Sequence, residues 1–226
     1  MSSLQFIERP PAAAPRGLLV LHHGRGSDER DLIGLGEILD PARELHLVTP
    51  RAPLALPGAP GFHWYLVPRV GFPDPQTFEA ARAALAEFHD ELFSRTGIGP
   101  ERTVLGGFSM GCAMSHALAL SAERPAPAGI LGFSGFIPRV PGWEPALEDR
   151  PGLRAFIAHG SRDPVIAVEL GRLAAQTLSD AGMAVEYRES DVGHQIDPAV
   201  LPAAAEWLAR TLPQPAGGLA PPGRSA

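Results

Sequence analysis

The chain has 226 residues, enough for one sizeable core and short for two full domains. Its formal net charge of −6 disfavours nucleic acid or an anionic membrane as the main partner, and all 19 basic residues are arginine. The absence of lysine removes a P-loop lysine, a Schiff-base lysine and a pyridoxal-phosphate site together.

Leu4 to Glu8 is consistent with an edge strand, and Pro10 to Pro15 with a loop. The start of the chain has neither a basic stretch nor an apolar run of signal-peptide type. No apolar run nears the length of a membrane span, so the expectation is a cytoplasmic protein with no integral membrane segment. Gly17 to His22 is continuously apolar up to His22, as expected of a parallel strand buried on both faces. It runs into the loop His23-Gly24-Arg25-Gly26-Ser27. Asp28 to Leu39 follows, with Leu32, Leu35, Ile38 and Leu39 at helical spacing and acids in the first turn, which predicts a helix. Leu45 to Val48 is a short strand.

From Arg51 to Pro75 the chain is irregular and rich in Pro, Gly and aromatic residues. A loop this long in a compact domain is usually functional or mobile. Gln76 to Ser94 carries Phe78, Ala81, Leu85, Phe88 and Leu92 at helical spacing. Gly129 to Ser134 and Leu153 to His159 are strands, Val165 to Ala181 a helix stopped by Gly182, and Ala184 to Arg188 the last strand. Pro198 to Leu212 is a closing helix with Leu201, Ala205, Trp207 and Leu208 inward. The 25 prolines and 25 glycines fall mostly between these runs and act as loop chemistry. Strands and helices alternate throughout, which predicts a mostly parallel sheet with helices on both faces in one domain over residues 1–212. Residues 213–226, rich in Pro, Gly and Ala, are expected to form a disordered tail.

The chemistry centres on Thr103 to Ala113. Val104 and Leu105 belong to a buried strand, and Met110, Ala113, Met114, Ala117 and Leu118 are spaced as a helix. Between them lies Gly107-Phe108-Ser109-Met110-Gly111, the G-x-S-x-G pattern of a nucleophile elbow. A plain glycine-rich strand-to-helix turn is the bland alternative. A serine hydroxyl is a weak nucleophile and needs an imidazole base oriented by a carboxylate. On this architecture the acid and base follow the serine in the order Ser, Asp/Glu, His. Asp163 lies just past the strand Leu153–His159, and His194 just past the last strand, so Ser109, Asp163 and His194 fall at the same sheet edge. Asp163 is also a good N-cap for the helix that begins at Val165. Asp191, three residues before His194, is the rival acid and suits a turn. His159 suits a hydrogen-bonded structural role. His22 and His23 point to opposite faces of a strand and make a poor metal pair. With no H-E-x-x-H and no Cys/His cluster, neither a metal nor another cofactor is expected. Cys112, the only cysteine, can form no internal disulfide and suits a small buried position.

An oxyanion needs donors. One is expected from the Met110 backbone N–H, the other from the Arg25 N–H in Gly24-Arg25-Gly26. Phe62, Trp64, Tyr65 and Phe72 are the expected apolar wall of a substrate site, with packing in the protein's own core as the alternative.

With these residues in place, the chain resembles the phospholipase/carboxylesterase branch of the α/β-hydrolases, which includes the acyl-protein thioesterases. His23-Gly24-Arg25-Gly26-Ser27-Asp28 resembles its first glycine loop. Pro50-Arg51-Ala52-Pro53 and Trp64-Tyr65 resemble the segment that approaches the acyl site. Gly107 to Gly111 is its elbow, and Phe133-Ser134-Gly135-Phe136-Ile137-Pro138 a strand end typical of it. His159-Gly160-Ser161-Arg162-Asp163-Pro164-Val165 and Gly193-His194 match its acid and base motifs. The resemblance runs from about Gly17 to Arg210. It implies an α/β-hydrolase fold without a cap domain, Ser109, Asp163 and His194 as triad, and the Arg25 and Met110 amides as oxyanion hole. The family's better-studied thioesterases often carry Gln and Leu where Met110 and Arg25 stand here. The implied activity is a serine carboxylesterase; with no insertion long enough for a cap and the segment 51–75 as the wall, the open site is expected to favour small-molecule esters of short to medium chain. A thioesterase or lysophospholipase of the same family is the enzymatic alternative, and a catalytically inactive hydrolase-fold binding protein the alternative of another class.

Overall fold

The computed structural model describes residues 4–150 and 152–212, so the expected tail 213–226 lies outside the described residues. In chain order the elements are β1 (Phe6–Arg9), β2 (Gly17–His22), α1 (Gly36–Leu39), β3 (Leu45–Pro50), β4 (Leu54–Ala55), β5 (Phe62–His63) and α2 (Pro75–Thr96). They continue with β6 (Thr103–Phe108), α3 (Met110–Ala119), β7 (Gly129–Phe133), β8 (Arg154–Gly160), α4 (Val168–Asp180), β9 (Ala184–Ser190) and α5 (Leu201–Thr211). Among the described residues, seven strands form one sheet in the order β1-β3-β2-β6-β7-β8-β9. β1 is antiparallel to β3, and every other pairing is parallel.

Strand alternation divides the interior in two. Leu18, Val20, Leu105, Ile130 and Ile157 face one core with α2, α3 and α4; Leu19, Leu21, Val104, Leu131 and Phe156 face the other with α5. This two-sided burial is why β2, β6 and β7 read as unbroken apolar runs rather than alternating ones. Parallel strands also put the carboxyl ends of β2, β6, β8 and β9 on one edge, and the chemistry gathers there.

Three elements differ from the sequence expectation. The helix expected over Asp28–Leu39 shrinks to a 3-10 turn at Ile33–Leu35 and the single turn α1. Gly34 and Gly36 weaken helix propensity there, and the Asp28 carboxylate accepts the Arg30 N–H in a local turn instead. Ile38 consequently faces solvent, 46% exposed. The helix after Asp163 begins at Val168 rather than Val165, with Ala167 at its cap. Asp163 therefore is not its N-cap; its Oδ1 instead accepts the Val165 and Ile166 N–H groups at 2.8 and 2.9 Å in a tight turn. Finally, the irregular stretch 51–75 contains the small antiparallel pair β4 and β5. α2 conforms well. Asp74 accepts the Thr77 N–H at its start, and Gly97 at φ 67° ends it in the left-handed region.

Candidate active site

Ser109 sits between β6 and α3 at φ 57°, ψ −118°, a region a residue with a side chain rarely occupies. The flanking glycines make this turn possible. A Cβ on Gly107 would lie 2.6 Å from the His22 carbonyl oxygen, and one on Gly111 would overlap the His22 and His23 carbonyls. With no Cβ at 111, the start of α3 packs directly on the end of β2. Met110 opens α3, where an N–H has no intrahelical acceptor. The Arg25 N–H makes no backbone hydrogen bond among the described residues. Gly24 lies over the serine, since a Cβ there would be 3.5 Å from Ser109 Cβ.

His194 Nε2 lies 2.9 Å from Ser109 Oγ, and His194 Nδ1 lies 2.6 Å from Asp163 Oδ2. The β8–β9 ladder delivers this geometry. Its backbone bonds continue past the strand ends as Ser161 N–H to Ser190 O and Arg162 N–H to Val192 O, drawing the two loops together. Burial pushes the Asp163 carboxyl up. The bonds from His194, Ile166 and Val165 outweigh that and hold its pKa below the ordinary carboxylate value. Asp191, the rival acid, is turned outward and pairs with Arg162 at 2.6 Å. His159 is buried beneath the acid, its Nε2 2.9 Å from Ile166 O and 3.5 Å from Asp163 Oδ2, a supporting position. The Phe108 ring packs on the His194 imidazole with centroids 4.8 Å apart, a contact that G-x-S-x-G does not announce because the middle residue carries no chemistry in the motif.

The four aromatic residues expected to wall the site separate. Trp64 and Tyr65 are 0% and 2% exposed and belong to the core, the alternative left open for them in the sequence. Trp64 turns inward because its indole has a buried acceptor, the His23 carbonyl at 2.9 Å. Phe62 is half-buried beneath the Arg51 guanidinium. Phe72, 38% exposed, lines an apolar groove of about 830 Å³ with Val70, Phe136, Val140, Trp143 and Leu173. Neither Ser109 nor His194 lines this groove. Gly135, just before Phe136, packs on the elbow backbone: a Cβ there would lie 3.2 Å from the Ser109 carbonyl oxygen and closer still to the Cys112 side chain. No group of three or more potential metal-ligating side chains occurs among the described residues, and none of their helices is long and apolar enough to cross a membrane.

The Phospholipase/Carboxylesterase family profile matches residues 4–212. The chain belongs to the phospholipase/carboxylesterase family. Within and around it, esterase PE8 superposes with a TM-score of 0.79 at 31% identity, covering 92% of this chain and 99% of that one. The Bacillus cereus carboxylesterase shares the fold with a TM-score of 0.81 at 23% identity, covering 93% and 96%. Acyl-protein thioesterase 1 of Gibberella zeae is 33% identical over 122 residues, which is 52% of each chain. This is a hydrolase family, and the sheet described above is its α/β-hydrolase fold with no separate cap.

Proposed function

We propose that the protein is a serine carboxylesterase that hydrolyses short- to medium-chain esters through an acyl-enzyme. Ser109 Oγ attacks the ester carbonyl carbon while His194 Nε2 takes its proton, and Asp163 holds the imidazole in the tautomer that can do so. Negative charge developing on the carbonyl oxygen is met by the Arg25 and Met110 N–H groups. His194 returns the proton to the alkoxide as the alcohol leaves. Water then attacks the acyl-enzyme with His194 again as base, and the acid departs with Ser109 regenerated. The observation that supports this reading is the unbroken bonded chain Ser109–His194–Asp163, at 2.9 and 2.6 Å, on an elbow of positive φ. The apolar groove at Phe72 and Phe136 supports an acyl wall open to solvent, which suits soluble esters more than long-chain lipids.

The acyl-protein thioesterases among the relatives favour a second reading, in which the same serine attacks a thioester. Steady-state assays with p-nitrophenyl esters from acetyl to palmitoyl and with matched acyl thioesters separate the readings. The expected kcat/KM rises from acetyl, peaks between butanoyl and octanoyl, and falls by palmitoyl, with oxygen esters preferred. A profile still rising at palmitoyl points to a lysophospholipase, and a thioester preference to a thioesterase.

A further inference from the structure

We infer that His23, working through the Gly24 peptide plane and braced by Trp64, is a positioning residue that aims the Arg25 amide at the oxyanion. The inference rests on the carboxylesterase reading above.

The His23 ring is buried, and both its nitrogens are engaged. The Ala52 N–H donates to Nε2 at 3.0 Å. A backbone N–H can only donate, so Nε2 carries the lone pair and the neutral ring's proton sits on Nδ1. Nδ1–H therefore donates to Gly24 O at 2.8 Å. Burial favours this neutral ring, against the opposing pull of Gly24 O, Asp31, Asp28 and Glu29. The Gly24 carbonyl and the Arg25 N–H belong to one peptide unit, and no cis peptide bond occurs among the described residues. In a trans unit the C=O and N–H point in opposite directions. Fixing Gly24 O on the imidazole therefore turns the Arg25 N–H the other way, with no backbone acceptor taking it among the described residues.

A second set of bonds keeps this plane in place. Trp64 Nε1–H donates to the His23 carbonyl at 2.9 Å, and the Trp64 backbone N–H points at Met110 Sδ at 3.2 Å. One buried residue thus touches both segments that carry the oxyanion donors. The loop is also stitched to β5 by Gly26 N–H to Phe62 O and Phe62 N–H to Ser27 O, each at 2.8 Å. A residue that merely filled space between β2 and α3 would not need a tautomer dictated at one nitrogen and spent on a carbonyl at the other.

The test compares His23→Gln with His23→Asn. The Gln amide can reach where Nε2 stood and keep the Ala52 bond, but leaves Gly24 O unheld. The Asn amide places a donor where Nδ1 stood and can hold Gly24 O. Each variant is assayed on p-nitrophenyl butanoate and for inhibition by a butyl trifluoromethyl ketone, which forms a tetrahedral oxyanion on the serine. Loss of one oxyanion donor costs about 10²–10³ in kcat, so misaiming is expected to cost about 10–10². His23→Gln should lose that much kcat with KM within twofold and weaken the ketone by the same factor. His23→Asn should recover at least threefold of the loss. Trp64→Phe, which keeps a ring and drops the bond to His23 O, should show the same split at a smaller size, and serves if the Gln variant does not fold. Variants that keep kcat within twofold overturn the inference. So does a fall in melting temperature and kcat in which Asn is no better than Gln and the ketone affinity does not follow kcat. Failure of the underlying carboxylesterase reading looks different, because then the wild-type protein itself turns over none of the esters.

Discussion

Both oxygens of Asp163 are committed. Oδ2 faces His194 Nδ1, and Oδ1 takes two backbone N–H groups from the turn that follows. The carboxylate can swing away from the imidazole only by giving up that turn, so it holds one His194 tautomer. Asp163→Asn is expected to lower kcat about 10⁴-fold by presenting the wrong hydrogen-bond pattern to Nδ1. Asp191→Asn should leave kcat within a few-fold, because its carboxylate meets Arg162 at the surface. Steady-state kinetics on one ester decides the matter, and an inactive Asp191 variant beside an active Asp163 variant would reverse the assignment. At this scale the sequence was informative where chemistry dictates residue type. Ser109, Asp163 and His194 could be chosen because each follows a parallel strand in the required order. Phe108 against His194, and His23 between Ala52 and Gly24, were not legible, since each depends on which segments the fold brings together. Cys112 conforms to its bland reading: it is fully buried, and burial pushes its thiol up to about 12.

Among the elements, the segment from Arg51 to Pro75 divides into an inner part and an outer part. Ala52, Trp64 and Tyr65 belong to the core and pack behind the His23–Ser27 loop, whereas Val70 and Phe72 line the groove. Aromatic content alone could not separate the two, because which ring is buried depends on which segments the fold brings against it; Trp64 meets the His23 carbonyl. On the proposed function, Phe72 and Phe136 rather than Trp64 are the candidates for an acyl wall. Each methylene buried there should add about 0.8 kcal/mol, roughly fourfold in kcat/KM. Phe72→Ala is expected to flatten the rise from acetyl to octanoyl while leaving acetyl hydrolysis nearly unchanged. Equal losses across the series would remove Phe72 from the substrate path. The shortened helix before β3 shows the same limit from the other side. Leu32 and Leu39 are buried as their spacing suggested, yet Gly34 and Gly36 let the backbone bury them without a continuous helix.

Over the whole molecule, parallel strands made the fold legible, because runs buried on both faces alternate with amphipathic helices and leave few topologies open. The sheet has a consequence for pH. His22, His89 and His116 lie inside it or against it and are fully buried. Burial lowers all three pKa values. The Arg124 charge reinforces this at His89, while the Gly106 carbonyl opposes it at His22 and the Cys112 carbonyl at His116. His89 falls to about 3 and His116 to about 4. An unfolded histidine titrates near 6.5, so below that pH the unfolded chain binds more protons than the folded one. The contribution of these histidines is therefore full above about pH 6.5 and is lost progressively as the pH falls through the folded values of about 4 and 3, by up to about 1.4 kcal/mol per pH unit for each. Urea denaturation at pH 7 and pH 5 should show the loss, and His89→Gln should reduce the difference between the two midpoints. An unchanged difference in that variant would mean that His89 does not stay neutral in the fold.

The central claim is that Ser109 is the nucleophile of a serine hydrolase, and intact-protein mass spectrometry after treatment with a fluorophosphonate tests it most directly. The wild-type protein is expected to gain one phosphonyl group, with the adduct on Ser109 and ester hydrolysis lost in parallel. Ser109→Ala should gain none while melting at nearly the same temperature. Labelling of Ser109→Ala to the wild-type extent, or a wild-type protein that stays unlabelled and still hydrolyses esters, would contradict the account.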